Sequence, residues 1–275
     1  METKIAIQGI KGSFHHQVAN EYFKNYDGLD ECMSFPALVN SLLTKKSSIG
    51  IMALENSIAG SILPNHALID THNLNIVGEH YLAINQNLMV LPGQNIEDIK
   101  EVHSHPIALL QCQDFFAQYP HIKLVEDADT AETARRIKEN NLLGIGAIAS
   151  KGAAHLYDLS IIGENIQSIK NNVTRFVILK TKHAVVDTKS CNKASLKFIL
   201  DHTNGSLATV LNVMHSCNLN LTRIQSLPII ETPWKYSFFV DVTFDDYEDY
   251  LKAKRMLAIM AEDLKVLGEY KNAWV

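Results

Sequence analysis

Residues 171 to 180 read NNVTRFVILK: two amides, a hydroxyl and a guanidinium (Asn171, Asn172, Thr174, Arg175) run directly into Phe176, Val177, Ile178 and Leu179. The apolar run reads as a buried strand. Polar groups at the mouth of such a strand are held rigidly. A guanidinium fork beside a hydroxyl suits an anionic substrate, because guanidinium meets carboxylate in a bidentate way. The same residues equally fit a strand start with Thr174 and Arg175 in solvent, so the surrounding elements have to decide.

Those elements belong to a chain of 275 residues, 47% hydrophobic and 20% charged, long enough for two or three compact units. Apolar runs fall well short of the ~20 residues that a bilayer requires. The opening METKIAIQGIKG enters a strand and a turn without the zones of a signal peptide, so the chain is expected in the cytoplasm, with no membrane partner. Cys32, Cys112, Cys191 and Cys217 lie far apart with no CxxC, and read as reduced, buried hydrophobes. Twenty-five basic against thirty acidic residues give a net charge of −5, which argues against a nucleic-acid partner.

In chain order, Lys4 to Gln8 alternate as a strand, Gly9 to Gly12 make a turn, and Ser13 caps a helix to about Lys24. Strand, glycine turn and helix N-terminus together form a natural anion site. A helix over 35 to 43 precedes the apolar strand IGIMAL (49 to 54), which ends in Glu55, Asn56 and Ser57. Ligands bind at the carboxyl ends of strands in open parallel sheets, although Asn56 or Ser57 also fits as the cap of a helix over SIAGSILPNHALI. Residues 74 to 84 read as a further strand.

Residues 85 to 163 read as a second α/β unit. Ser104, His105 and Pro106 open a helix over IALLQCQDFFAQY, Asp129 or Thr130 caps a helix within DADTAETARRIKEN, and GIGAIAS forms a buried strand before a helix over KGAAHLYDL. His103 and His105 have no third ligand at a recognisable spacing, so no metal site is expected. Ser13, Ser57, Ser104 and Thr130 thus stand at helix N-termini that could converge on one anion. After a linker-like stretch from about His183 to Asn192, the rest of the chain reads as βαββαβ, a four-stranded antiparallel sheet with two helices on one face.

Taken together, the segments GIKGSFHHQ, ALENSIAGS, SHPIALLQC, ADTAETA, AIASKGAAHLYDL and NNVTRF resemble the prephenate dehydratase family, in its monofunctional form with a C-terminal ACT domain. The similarity spans nearly the whole chain, and its specificity lies in the combination. It departs at Ile107, where the family usually has Gln, at Ser168, where Asp is common, and at Met52-Ala53, where Val-Pro is common.

The resemblance implies an α/β fold: a two-lobed catalytic domain like a type II periplasmic binding protein, plus a ferredoxin-like ACT domain. The domains would be 1–182 catalytic (lobe one 1–84 and 164–182, lobe two 85–163), 183–193 linker and 194–275 regulatory. It implies decarboxylating dehydration of prephenate to phenylpyruvate in phenylalanine biosynthesis, without a cofactor, with Thr174 as the catalytic hydroxyl. Ser13, Ser57, Ser104, Thr130, Asn172 and Arg175 are the candidate substrate partners. Glu55, Asn56 and Phe176 complete the set, Phe176 chiefly through packing, while Arg175 also fits as a brace to Glu55 or another carboxylate.

In the C-terminal domain, Gly205, Ser206, Leu207 and Ala208 stand where the family has GALA, and Gln225, Ser226 and Leu227 fall in its ESRP-type motif. The resemblance implies a phenylalanine effector at these residues, and a homodimer or homotetramer. Gln225 in place of Glu and Leu227 in place of Arg leave the effector's identity open. Two other readings stand beside this one: arogenate dehydratase, and a non-catalytic binding protein for small carboxylates or amino acids.

Overall fold

The strand Lys4–Gln8 lies between two parallel neighbours, Gly28–Cys32 and Ile49–Asn56, with Ile5 opposite both Leu29 and Ile49. Ile5, Ala6, Ile7, Ile51 and Met52 are all inaccessible to solvent. Such continuous apolar runs belong to a parallel sheet covered on both faces. The computed structural model describes residues 3–182, 185–229, 232 and 235–274. His183 and Ala184, the first residues of the expected linker, lie outside them.

The helix Phe14–Tyr22 is capped by Ser13, whose hydroxyl accepts from the His16 amide, and Phe35–Leu43 is capped by Ser34 with a proline in its first turn. The helix expected over 57–69 does not form. The strand instead folds back on itself, pairing Glu55 with Ser61 and Asn56 with Gly60, and a helix begins only at Leu63. The Asn56 side-chain oxygen Oδ1 accepts from the amides of Ile58 (3.0 Å) and Ala59 (2.8 Å), offering them a local alternative to a helix. Gly60 adopts a left-handed φ of 81°.

A second sheet orders Ser160–Gly163, Asn87–Val90, Ile145–Ala149, Glu101–Ser104 and Lys123–Glu126. Alternate residues feed separate cores: Met89, Ala147 and Ala149 pack against the helix Thr130–Glu139, and Leu88, Val90 and Ile148 against Ala108, Leu109 and Phe116. The single helix expected after Pro106 is two short ones, Pro106–Gln111 and Gln113–Phe116, meeting at Cys112.

The chain divides into two compact units: Met1–Ser61 with Tyr81–Phe176, which contains the elements above apart from the helix that begins at Leu63, and Ile62–His80 with Val177–Val275. In the second unit, Lys193–Ile199, Ser206–Ser216, Asn220–Pro228, Tyr236–Thr243, Tyr247–Met260 and Glu262–Tyr270 realise the βαββαβ order with antiparallel pairing. One sheet face buries Ala194, Leu196 and Phe198 with Val210, Met214, Tyr250 and Leu257. The other buries polar groups: the Lys193 ammonium meets both carboxylate oxygens of Glu79 at 2.9 Å. Lys265 reaches Asp70 (2.7 Å), and Arg223 reaches His66 (2.7 Å) and Asp241 (3.3 Å). Among the described residues no helix is long and apolar enough to cross a membrane.

His15 sits in the first unit between Phe35 (ring centroids 5.7 Å apart) and the edge of Phe176 (4.9 Å). Its Nε2 has no partner among the described residues, and burial lowers its pKa to about 3. Protonation therefore favours the unfolded chain: nothing is lost above pH 6.5, and stability falls as pH drops from there toward 3. Urea titrations should show the wild type losing about 2 kcal/mol more than His15→Leu between pH 7.5 and 5. Equal losses would contradict this.

Candidate active site

The turn after Ile49–Asn56 and the start of Val173–Lys180 form one hydrogen-bonded cluster. The Asn56 amide donates to Asn172 Oδ1 (2.7 Å) and to Thr174 Oγ1 (2.9 Å). Beside it, Ser57 Oγ donates to the Asn171 carbonyl (3.1 Å) and accepts from the Val173 amide (2.9 Å). The Ser57 amide completes the ladder to the Val173 carbonyl (2.8 Å). Asn172, 1% exposed, donates in turn to Gln111 Oε1 (3.0 Å), which also accepts from Gln86 (3.3 Å). A chain of side-chain amides thus runs from the second sheet of this unit to the Thr174 hydroxyl.

Thr174 is 7% exposed and uses its oxygen as an acceptor. Its own proton has no acceptor among the described residues, so the hydroxyl is oriented and has a hydrogen bond left to give. Arg175 and Phe176 follow it, 3% and 2% exposed, with Phe176 packed against His15. Glu55 is half-buried in the hairpin, paired with Ser61.

Asn56, Ser57, Asn172 and Thr174 therefore come together, whereas the other hydroxyls are engaged elsewhere. Ser13 caps its own helix, and the fully buried Ser104 donates to the Ile148 carbonyl (2.7 Å). Thr130 is the half-buried first residue of its helix, whose cap is Asp129. Ser57 precedes no helix, for the reason given above. The glycine turn is also committed internally. Gly9 N donates to the Cys32 carbonyl, Lys11 N to Glu31, Gly12 N to His16 Nδ1, and Ser13 N to the Ile10 carbonyl. Its outward carbonyls are held too, Gly12 by Ser150 (2.6 Å) and Lys11 by Tyr157 (2.7 Å).

Two residues of this region escaped the sequence reading. Gln111 falls within the segment SHPIALLQC without a role of its own there, and no local pattern shows that it will meet Asn172. Asp129 read only as a cap. Its Oδ1 does accept from the amides of Ala131 (2.9 Å) and Glu132 (3.0 Å). The carboxyl is nevertheless buried against the Gly9 turn, and burial raises its pKa, with the capping amides opposing. Among the described residues, no three His, Cys, Asp or Glu side chains are grouped to hold a metal ion.

In the second unit, Gly205 takes a left-handed φ of 83° at the start of Ser206–Ser216, followed by half-buried Ser206 and Leu207 and exposed Ala208. Gln225 and Leu227 are half-buried and Ser226 exposed on Asn220–Pro228, an edge strand of its sheet.

Comparison with known proteins adds independent information. The sequence model of the family described as prephenate dehydratase matches residues 5–184. The chloroplastic arogenate dehydratase/prephenate dehydratase 2 of Arabidopsis thaliana is 33% identical over 277 residues, covering 97% of this chain and 72% of that protein. The solved prephenate dehydratase of Staphylococcus aureus subsp. aureus Mu50 superposes with a TM-score of 0.84 at 25% identity, over 98% of this chain and 100% of that one. GqqA, described as a novel type of quorum quenching acylase, superposes with a TM-score of 0.88 at 25% identity over 98% of each chain.

Proposed function

Because this chain belongs to the prephenate dehydratase family, which comprises hydro-lyases of aromatic amino-acid biosynthesis, we propose that its own reaction is the conversion of prephenate to phenylpyruvate. The observation that carries this is the Thr174 hydroxyl, fixed as an acceptor from Asn56 with its proton uncommitted. Prephenate loses carbon dioxide and hydroxide together. The electron pair of the breaking carbon–carbon bond enters the ring as the carbon–oxygen bond breaks, and aromatisation drives both events. The task for the protein is to hold the dianion and to help hydroxide leave. Thr174 donates a hydrogen bond to the departing oxygen, which becomes a better acceptor as negative charge grows on it, so the bond is strongest in the transition state. A threonine hydroxyl is a poor acid, and hydrogen-bond donation suffices.

On this reading residues 1–182 are the catalytic domain, 183–193 a linker and 194–275 a regulatory domain that binds phenylalanine through Gly205, Ser206, Leu207, Ala208, Gln225, Ser226 and Leu227 and forms the subunit contact of a homodimer or homotetramer. Support comes from the left-handed Gly205 at the helix start and from the exposed edge strand.

Purified protein should form phenylpyruvate from prephenate; a protein inert to it would remove the proposal. Thr174→Ala should lower kcat by ~100-fold or more with an unchanged circular dichroism spectrum, and Thr174→Ser should keep more activity. Near-normal turnover in the alanine variant would discard Thr174. Calorimetry tests the effector separately: binding heat with phenylalanine and reduced activity are expected, and neither at millimolar concentration would eliminate the sensor.

A further inference from the structure

We propose that Gln86 is a positioning residue of this site, acting through Gln111 and Asn172 to fix the direction of the amide hydrogen bonds that leave the Thr174 proton free. The inference rests on the dehydratase reading and deepens it, adding a control on the hydroxyl from the far end of the amide chain.

An amide side chain carries an acceptor oxygen on one side and a donor NH2 on the other, so in a row of amides each member dictates the orientation of the next. Here the row is anchored at Asn56. Its Oδ1 accepts from the backbone amides of Ile58 and Ala59, groups that can only donate. The Asn56 NH2 therefore faces Asn172 Oδ1 (2.7 Å) and Thr174 Oγ1 (2.9 Å). Asn172 then turns its NH2 to Gln111 Oε1 (3.0 Å), and that oxygen leaves Gln86 only the donor's part, at 3.3 Å. Gln111 Oε1 thus accepts from both sides, and at the other end Thr174 accepts rather than donates.

The far end shows what this direction leaves behind. Gln86 is 3% exposed, and its Oε1 has no partner among the described residues. A buried carbonyl oxygen without a donor is destabilising, yet a half turn of the amide brings no relief. It would set Oε1 against Gln111 Oε1, acceptor against acceptor. Gln111 and Asn172 would have to reverse as well, which brings the Asn172 NH2 against the Asn56 NH2, and Asn56 is locked by its two backbone donors. The backbones are pinned too. Gln86 N donates to Gln167 Oε1 (2.9 Å), and its carbonyl accepts from Ile166 (2.8 Å). The Gln111 carbonyl accepts from Ser168 (2.9 Å), and that of Asn172 from Ile84 (2.7 Å). Amide orientation is what the row still has to settle, and Gln86 settles it from the side opposite Asn56.

The test is Gln86→Glu and Gln86→Met, with steady-state kinetics on prephenate and circular dichroism between about pH 5 and 9. Glutamate has the shape of glutamine. Protonated, its O–H replaces the Nε2 donor; ionised, it sets an acceptor against Gln111 Oε1. Burial raises the pKa of such a carboxyl, and the Lys170 ammonium on the Gln167 carbonyl (2.8 Å) opposes the rise. Cys112, beside Gln111, is pushed up to about 12 by burial and stays a neutral thiol throughout. In Gln86→Glu, kcat should stay within ~3-fold of the wild type at the acid end and fall ~10-fold or more below it as the carboxyl ionises, with KM within ~3-fold throughout. Gln86→Met, which has no donor in that place, should lose ~3-fold or more in kcat at every pH. A Gln86→Glu profile parallel to the wild type, a wild-type kcat in Gln86→Met, or a raised KM with unchanged kcat overturns the inference alone. So does loss of the circular dichroism spectrum in step with activity, which would make Gln86 a folding residue only. A wild type inert to prephenate overturns the dehydratase reading and the inference with it.

Discussion

Asn56 gives its side-chain oxygen Oδ1 to the amides of Ile58 and Ala59 and its side-chain NH2 to Asn172 and the Thr174 hydroxyl. One side chain therefore ends a strand, shapes the hairpin behind it and orients the group proposed to assist the leaving hydroxide. All four of these bonds are short, and the amide group has no remaining donor to spend elsewhere. A buried network of this kind is rigid when each member is satisfied. The hydrogen bonds around Thr174 fix its oxygen and leave its proton available to a ligand. The Gln86–Gln111–Asn172 chain continues the network toward the second sheet of the unit, ending at Gln86, whose Oε1 has no partner among the described residues.

The second unit is held in a different way. Its sheet has an ordinary apolar face toward its two helices, whereas the opposite face buries Lys193 and Lys197. Glu79 answers Lys193 with both oxygens, at side-chain exposures of 4% for the lysine and 0% for the glutamate. Breaking such a pair by removing one partner strands a buried charge, so the pair fixes a unique arrangement even where its net contribution to stability is small. Gly268 adds a backbone constraint: its strand comes so close to Ile76 that a methyl group there would fall 2.2 Å from the Ile76 carbonyl oxygen. The segment Ile62–His80 is thereby tied to the C-terminal strands by charge and close approach, as well as by burial of its own Ile69, Leu74 and Ile76.

Elements governed by local rules were legible in the sequence. The helix Phe35–Leu43 has the expected bounds because Ser34 and Pro36 mark its start, and the βαββαβ order follows from periodicity together with turn residues. The helix expected after Ser57 failed because a side chain captured two backbone amides, an event that periodicity does not encode. The strand Val173–Lys180, with Thr174 at its mouth, was legible because its motif is contiguous. Gln111 was not, since its partner Asn172 is 61 residues away. Asp129 was half legible: a cap is a local feature, while the approach of Gly9 to its other oxygen depends on how two strands and a turn meet. GqqA shares the fold at a TM-score of 0.88 under a different described activity, so architecture by itself does not decide the chemistry. Here the family match carries the family-level reading, and the Thr174 cluster is what supports the proposed reaction.

The central claim is that Asn56 acts by holding Thr174 for the transition state rather than by gripping the substrate. Steady-state kinetics of Asn56→Ala with prephenate test it most directly. The account predicts kcat reduced by ~10-fold or more with KM within ~3-fold of the wild type, because the lost orientation matters only as the hydroxide leaves. A raised KM with unchanged kcat would contradict it and make Asn56 a binding residue instead.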